Sequence, residues 1–268
     1  MGAQSRRRPA PESSSPVVLE KLENVVLVLL NRPEVHNAID TCLRDALYET
    51  LAAVRDDPEV SVVILHGAGP SFSSGGDLHE FGTARSPVAA REARWRRDLC
   101  GALLALPKPT IAAVHGYAVG GGWELALLCD LCIVARGARF RFSETGLGMI
   151  PGLGGTQTVA RLVGGCRAMD AVLSGRWLRA KEAVEWGLAN ACVPRRSLLR
   201  TALDWARDIA RWPPLLLRET KRLVWQGCDL PLPAALALER RVADLAGKGG
   251  FIAAAVVAGE GTRARAKS

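Results

Sequence analysis

The segment 122–129 constrains the whole chain. Trp123, Leu125, Ala126, Leu127 and Leu128 leave it apolar on nearly all sides, with Glu124 as its only charge. A helix of that kind belongs inside a protein, covered all round. The flanking sequence supplies the cover. Short apolar, β-rich runs occur at 17–20, 25–30, 60–65, 111–114 and 131–135, with a shorter one at 140–142. Residues 21–24 read as the turn of a hairpin. Helical periods lie between these runs. One opens at Ile39-Asp40, with Leu43, Leu47, Leu51 and Val54 on one face. Another covers 87–106, with Trp95, Leu99, Leu103 and Leu106 on its buried face. Strand alternating with helix predicts an α/β core with parallel strands.

Beyond residue 156 the pattern becomes helical. Short helices are expected at 156–162, 167–173 and 180–186, and a last strand at 189–193. Longer helices follow at 197–211, 214–226 and about 233–258, separated by Trp212-Pro213-Pro214 and by Pro231 and Pro233. The organisation predicted is a tail at 1–16, a core at 17–195 and a helical region at 196–268. A chain of 268 residues with 49% hydrophobic content can bury such a core.

The chemistry concentrates in two stretches. Gly120, Gly121 and Gly122 open the buried helix, and Glu124 follows in its first turns. Glycines at a helix mouth admit a ligand close to the backbone, where first-turn N–H groups lack internal partners and the dipole is positive. That suits an oxyanion, or a thioester oxygen gaining charge. Twenty residues on, Glu144 precedes a glycine-rich turn through Gly146, Gly148, Gly152, Gly154 and Gly155. Each glutamate alone reads equally as a helix-dipole, capping or turn residue. A third stretch, Ser73-Ser74-Gly75-Gly76-Asp77-Leu78, follows the strand at 60–65 and offers a second free backbone N–H.

Together these stretches resemble the crotonase, or enoyl-CoA hydratase/isomerase, superfamily. Order and spacing match over about 17–195: Asn31-Arg32-Pro33, His36-Asn37-Ala38, Ser74 to Leu78, Gly116 to Gly122, Glu124, Cys129-Asp130, Glu144 and Ile150 to Gln157. The resemblance implies a spiral of ββα turns and a C-terminal helical region used to form a trimer or a dimer of trimers. It implies that the Gly76 and Gly121 amides bind the thioester oxygen. Glu124 would be the water-holding base and Glu144 the main acid. It places His36, Ala38, Ser74, Asp77, Leu78, Trp123, Pro151 and Gly152 around an acyl-CoA. The activity implied is hydration of a 2-enoyl-CoA, or its reverse, with no metal and no cofactor beyond the coenzyme A of the substrate. Double-bond isomerisation is the alternative. Two departures stand out. Trp123 is bulky where small residues are common, and is expected to shorten or redirect the acyl pocket. The last nine residues lack the usual aromatic and Glu-Lys-Arg pattern.

Composition narrows the partners. The net charge of +8 and pI of about 9.4 favour anionic partners, a CoA phosphate among them. Arg91, Arg94, Arg96 and Arg97 raise an RNA-binding reading, against which stands an ordinary solvated helix face. Seven scattered cysteines read as reduced, buried thiols, and the single CxxC at 129–132 has no second half for zinc. No apolar run reaches the ~18 residues of a membrane span. The Arg- and Ser-rich start reads as a disordered tail on a cytoplasmic protein, with a mitochondrial targeting segment as the alternative. The segment 78–86 is expected to be mobile, with His79 at the surface.

Overall fold

The computed structural model describes residues 15–248. The elements run β1 Val17–Leu22, β2 Val25–Leu30, α1 Thr41–Asp56, β3 Val62–Gly67, α2 Pro87–Trp95, α3 Leu99–Leu104, β4 Thr110–Val114, β5 Tyr117–Val119 and α4 Gly121–Leu127. They continue β6 Leu131–Ala135, β7 Arg139–Arg141, α5 Gly155–Val163, α6 Gly165–Ser174, β8 Leu178–Arg179, α7 Ala180–Trp186, β9 Ala191–Val193, α8 Leu198–Ile209, α9 Pro214–Gly227 and α10 Leu232–Lys248.

Six strands form one sheet in the order β1-β2-β3-β4-β6-β9. The β1–β2 hairpin is antiparallel, and every later pairing is parallel. The inner strands are continuous apolar runs because both faces of the sheet are covered. Alternate residues then serve different layers. Val26, Val28, Leu30, Val63, Leu65, Ala112 and Val114 join α1, α3 and α4 in the larger core. Val25, Leu27, Val62, Ile64, Ile111, Ala113 and Ile133 meet Leu198, Ala202 and Ala206 of α8 in a second one. The helical region expected from 196 therefore begins on the sheet rather than beyond it. A small second sheet, β5-β7-β8, stands beside the first and carries the chain into both chemical stretches.

The α1 helix forms as read. Asp40 caps it through Leu43 N at 2.8 Å, and Leu43, Leu47, Leu51 and Val54 are buried. The helix expected over 87–106 is instead two, broken at Arg96–Asp98 where Asp98 turns extended. Trp95 consequently lies on the outside, 66% exposed, with Arg91 stacked 4.9 Å over its ring. Strands β5 and β8 were not expected. Their three and two residues are too short to show a period. The thiols are also corrected: Cys129 and Cys132 are buried, but Cys42, Cys166 and Cys228 are exposed. Burial pushes the Cys129 thiol up to about 12. The part of the last helix expected beyond 248, and the tail before 15, lie outside the described residues.

Candidate active site

Helix α4 is buried along its length, and Gly120 at its cap shows why glycine stands there. Its φ of 49° with ψ of −125° lies where only glycine is unstrained, and an added Cβ would lie 2.6 Å from Glu144 Oε1. Strand β7 fixes this junction, since Gly120 N donates to Arg141 O at 2.8 Å. The carboxyl of Glu144 is thereby packed against the mouth of the helix that carries Glu124.

The two glycine loops meet here. Ile39 and Gly76 form a short parallel bridge, with Ile39 N donating to Gly75 O and Asp77 N to Ile39 O. The Gly76 N–H between them has no acceptor among the described hydrogen bonds, and neither has the Gly121 N–H in the first turn of α4. A Cβ on Gly121 would lie 3.8 Å from Gly76 N and 3.9 Å from Glu124 Oε2. Two unpaired donors and a carboxylate oxygen thus surround one small space. Such a donor pair can hold an oxyanion.

Glu124 is 2% exposed. Its Oε1 accepts from Leu153 N at 2.9 Å and Gly155 N at 2.7 Å. Burial pushes its pKa up to about 7, against the pull of those amides and with help from the Glu144 charge. Burial also raises Glu144, opposed by the amides of Glu144 and Ser143 and by the Glu124 carboxyl. Glu144 Oε2 is buried without a partner. Each carboxyl acts on the other, so the two titrate as a coupled pair, and burial favours the protonated form of both.

The other expected residues divide. Ala38 is buried, and Arg32 Nη1 donates to its carbonyl at 2.8 Å while pairing with Asp40 at 2.9 Å. Ser74 N donates to His36 O, which ties the two loops together. His36 Nδ1 sits 3.1 Å from Ser71 Oγ. Asp77 caps its own turn through His79 N at 3.0 Å. Leu78 is 60% exposed beside it, Pro151 is buried and Gly152 exposed. The Trp123 indole is fully buried and stacks on Phe140 at 4.2 Å. On a helix, neighbours point about 100° apart, so a residue beside Glu124 faces elsewhere.

Some supporting residues were assigned no role from the sequence. Asn37 is fully buried, and its side-chain amide donates to Ala68 O, Ser71 O and Phe72 O while its Oδ1 accepts from Arg32 N. It staples the loop that leads to Gly76. Glu80 accepts from Thr41 N and Thr41 Oγ1 at the start of α1, so the segment expected to be mobile is tied down at that point. The arginine face read for RNA is partly engaged: Arg97 pairs with Glu49 at 2.9 Å and lies over Tyr48. Among the described residues no group of three or more His, Cys, Asp or Glu is placed to hold a metal. No helix among them is long and apolar enough to cross a membrane.

The family model described as enoyl-CoA hydratase/isomerase matches residues 20–248. The chain is 39% identical to 2,3-dehydroadipyl-CoA hydratase of Escherichia coli K12 over 228 residues, 85% of this chain and 89% of that one. An enoyl-CoA hydratase structure from Bacillus anthracis superposes with a TM-score of 0.81 at 33% identity, covering 88% of this chain and 95% of the other. A monofunctional enoyl CoA isomerase from M. smegmatis superposes with a TM-score of 0.73 at 35% identity, covering 83% and 99%.

Proposed function

Since the chain belongs to the enoyl-CoA hydratase/isomerase family of enzymes, we propose that it adds water across the 2,3 double bond of a 2-enoyl-CoA, or runs the reverse dehydration. The observation that carries this reading is the single space bounded by the Gly76 and Gly121 amides and the Glu124–Glu144 pair. The thioester oxygen sits against the two amides. Water attacks C3, electrons flow into the thioester, and the amides hold the enolate oxygen. Removing one such donor typically costs about 10²–10³ in rate.

Hydration needs one base and one acid together, and a pair sharing one proton supplies both. Glu124, anchored by Leu153 N and Gly155 N, holds the water and takes its proton. Glu144, whose Oε2 has no protein partner, delivers a proton to C2. The loops carrying His36, Ala38, Ser74, Asp77 and Leu78 flank this space and are assigned to the CoA moiety, with Pro151 and Gly152 on the acyl side. No metal or further cofactor enters. Exposed Val224 on α9, with Leu232 and Leu236 on α10, gives the helical region apolar surface for association as a trimer or a dimer of trimers.

A panel of 2-enoyl-CoA thioesters tests the reading directly. Loss of absorbance of the conjugated thioester, with a 3-hydroxyacyl-CoA as product, is the expected result. A panel in which only double-bond position changes would replace hydration by isomerisation, the chemistry of the mycobacterial relative.

A further inference from the structure

The small sheet has two faces of opposite character. Ala118, Phe140 and Leu178 point into the core and are fully or nearly fully buried. Alternation puts Tyr117, Arg139 and Arg179 on the other face, and all three are exposed. The register sets them in one row: Tyr117 pairs with Arg139 across β5–β7, and Arg139 pairs with Arg179 across β7–β8. Like charges directly opposite on an antiparallel ladder repel and destabilise it. No acid relieves this pair. Neither Arg139 nor Arg179 makes an ion pair among the described residues, and nor does Arg136.

A pocket of about 450 Å³ opens beside the row. Arg136, Arg139, Arg179 and Lys181 line it, together with Gly137, Ala138, Ala180 and Cys192, and no carboxylate contributes to its wall. Lys181 meets only Glu185, at 3.7 Å and largely in solvent. The aromatic end of the row is also presented to solvent. Tyr117 is 47% exposed and Trp177 39%, with their rings edge to face at 5.6 Å. This face is the outer side of the small sheet, whose inner side backs the core.

We propose that this face is a second ligand site, one that binds a nucleoside di- or triphosphate. Guanidinium forks match phosphate oxygens two at a time, and two forks held side by side fit a chain of linked phosphates better than a single anion. The exposed Tyr117–Trp177 pair, with the Arg141 guanidinium 5.7 Å from the Trp177 ring, gives the base an aromatic surface at the other end of the row. Charge complementarity selects the polyphosphate, and the aromatic pair selects a nucleoside over bare polyphosphate. The unrelieved Arg139–Arg179 repulsion is the part of the fold that such a ligand settles. The same chemistry occurs in free nucleotides and in the nucleotide half of CoA, and the test separates them.

The full chain is titrated with ATP, with ADP, with tripolyphosphate and with free CoA, following heat and Trp fluorescence at low salt. ATP and ADP are expected to bind with micromolar affinity, tripolyphosphate about tenfold more weakly. Arg139→Ala with Arg179→Ala should weaken ATP at least tenfold, and Tyr117→Ala should erase its advantage over tripolyphosphate. These positions are exposed, and unchanged thermal melting and enoyl-CoA turnover in each variant would show that fold and first site are intact. If CoA binds, and ATP displaces it from the wild type and the double variant alike, the nucleotides are using the substrate site and the proposal falls. It falls equally if ATP does not bind, or if the double variant binds ATP as the wild type does. A change in oligomeric state of the arginine variants without nucleotide binding would assign the face to a second copy of the chain instead.

Discussion

Glu124 has a physical cost that its neighbours do not cancel. A carboxyl near 4.5 in the unfolded chain and at about 7 in the folded one binds its proton more tightly when folded. Between those values the folded state holds more protons, so stability falls as pH rises through that window and stays low above it. Glu124→Gln is therefore expected to raise stability above pH 7, by at most about 3 kcal/mol, and to leave it little changed at pH 4. Urea unfolding at the two pH values measures this, and an equal effect at both would contradict the burial argument. In activity the same substitution acts the other way. Glu124→Gln and Glu144→Gln should each lower hydration by at least about 10². Because the pair acts on one water and one substrate, the double variant should be little worse than the poorer single one. Wild-type hydration by Glu124→Gln would leave isomerisation as the better account. The pH–rate profile should carry an apparent pKa near 7 that belongs to the pair and disappears in either variant.

At the scale of elements, the junctions decide function. Gly121 and Gly155 bracket Glu124, and they should fail differently. An added methyl on Gly121 meets its nearest atoms at 3.8 and 3.9 Å, an ordinary contact, but it occupies the space between the two amides. Gly121→Ala should keep its melting temperature within a few degrees and lose about 10²-fold or more in turnover. On Gly155 the methyl would lie 2.7 Å from Glu124 Oε1 and 2.9 Å from the Phe142 ring, so Gly155→Ala should lose both stability and activity. Equal stability losses in the two variants would show that the Gly121 site is less open than the distances state. The strands of the six-stranded sheet, α1 and the glycine loops were legible in the sequence because their patterns are long or their residues unusual. The stacking of Trp123 on Phe140 was not legible, because it joins a helix to a strand whose three residues are too short to show a period. The break at Arg96–Asp98 was hidden because Trp95 fits an apolar period while standing in solvent, its ring covered by Arg91. The partners of Glu124 at Leu153 and Gly155 are backbone amides, and backbone partners leave no mark on side-chain pattern.

Across the whole molecule, one aspartate joins the sheet to the helical region. Asp130 accepts from Thr110 N and Thr110 Oγ1 at the foot of β4, pairs with Lys221 at 2.8 Å and accepts from Trp225 Nε1 at 2.8 Å. Lys221 is only 8% exposed. Asp130→Ala leaves that ammonium buried and unpaired, and should cost about 3 kcal/mol or more; Trp225→Phe removes one hydrogen bond and should cost about 1 kcal/mol. Hydrogen exchange in α9 locates the loss, and protection unchanged in Asp130→Ala would mean that other contacts hold the helix. The basic surface gives a second whole-molecule expectation. Free CoA should inhibit competitively, and inhibition should weaken with added salt, because exposed charges are screened over about 8 Å at physiological ionic strength. Inhibition that ignores salt would point to adenine rather than phosphate contacts.

The alanines of α8 have a separate consequence. Ala202 and Ala206 bring that helix close against the face of the sheet that the active site does not use. Nothing with a larger side chain fits there without lifting the helix. The sheet therefore works as a party wall: one side answers to the reaction, the other only to fit. Selection for a new acyl group and selection for heat or solvent tolerance press on opposite sides of it. Changes behind the wall that keep the helix seated leave the chemistry in front of it the same.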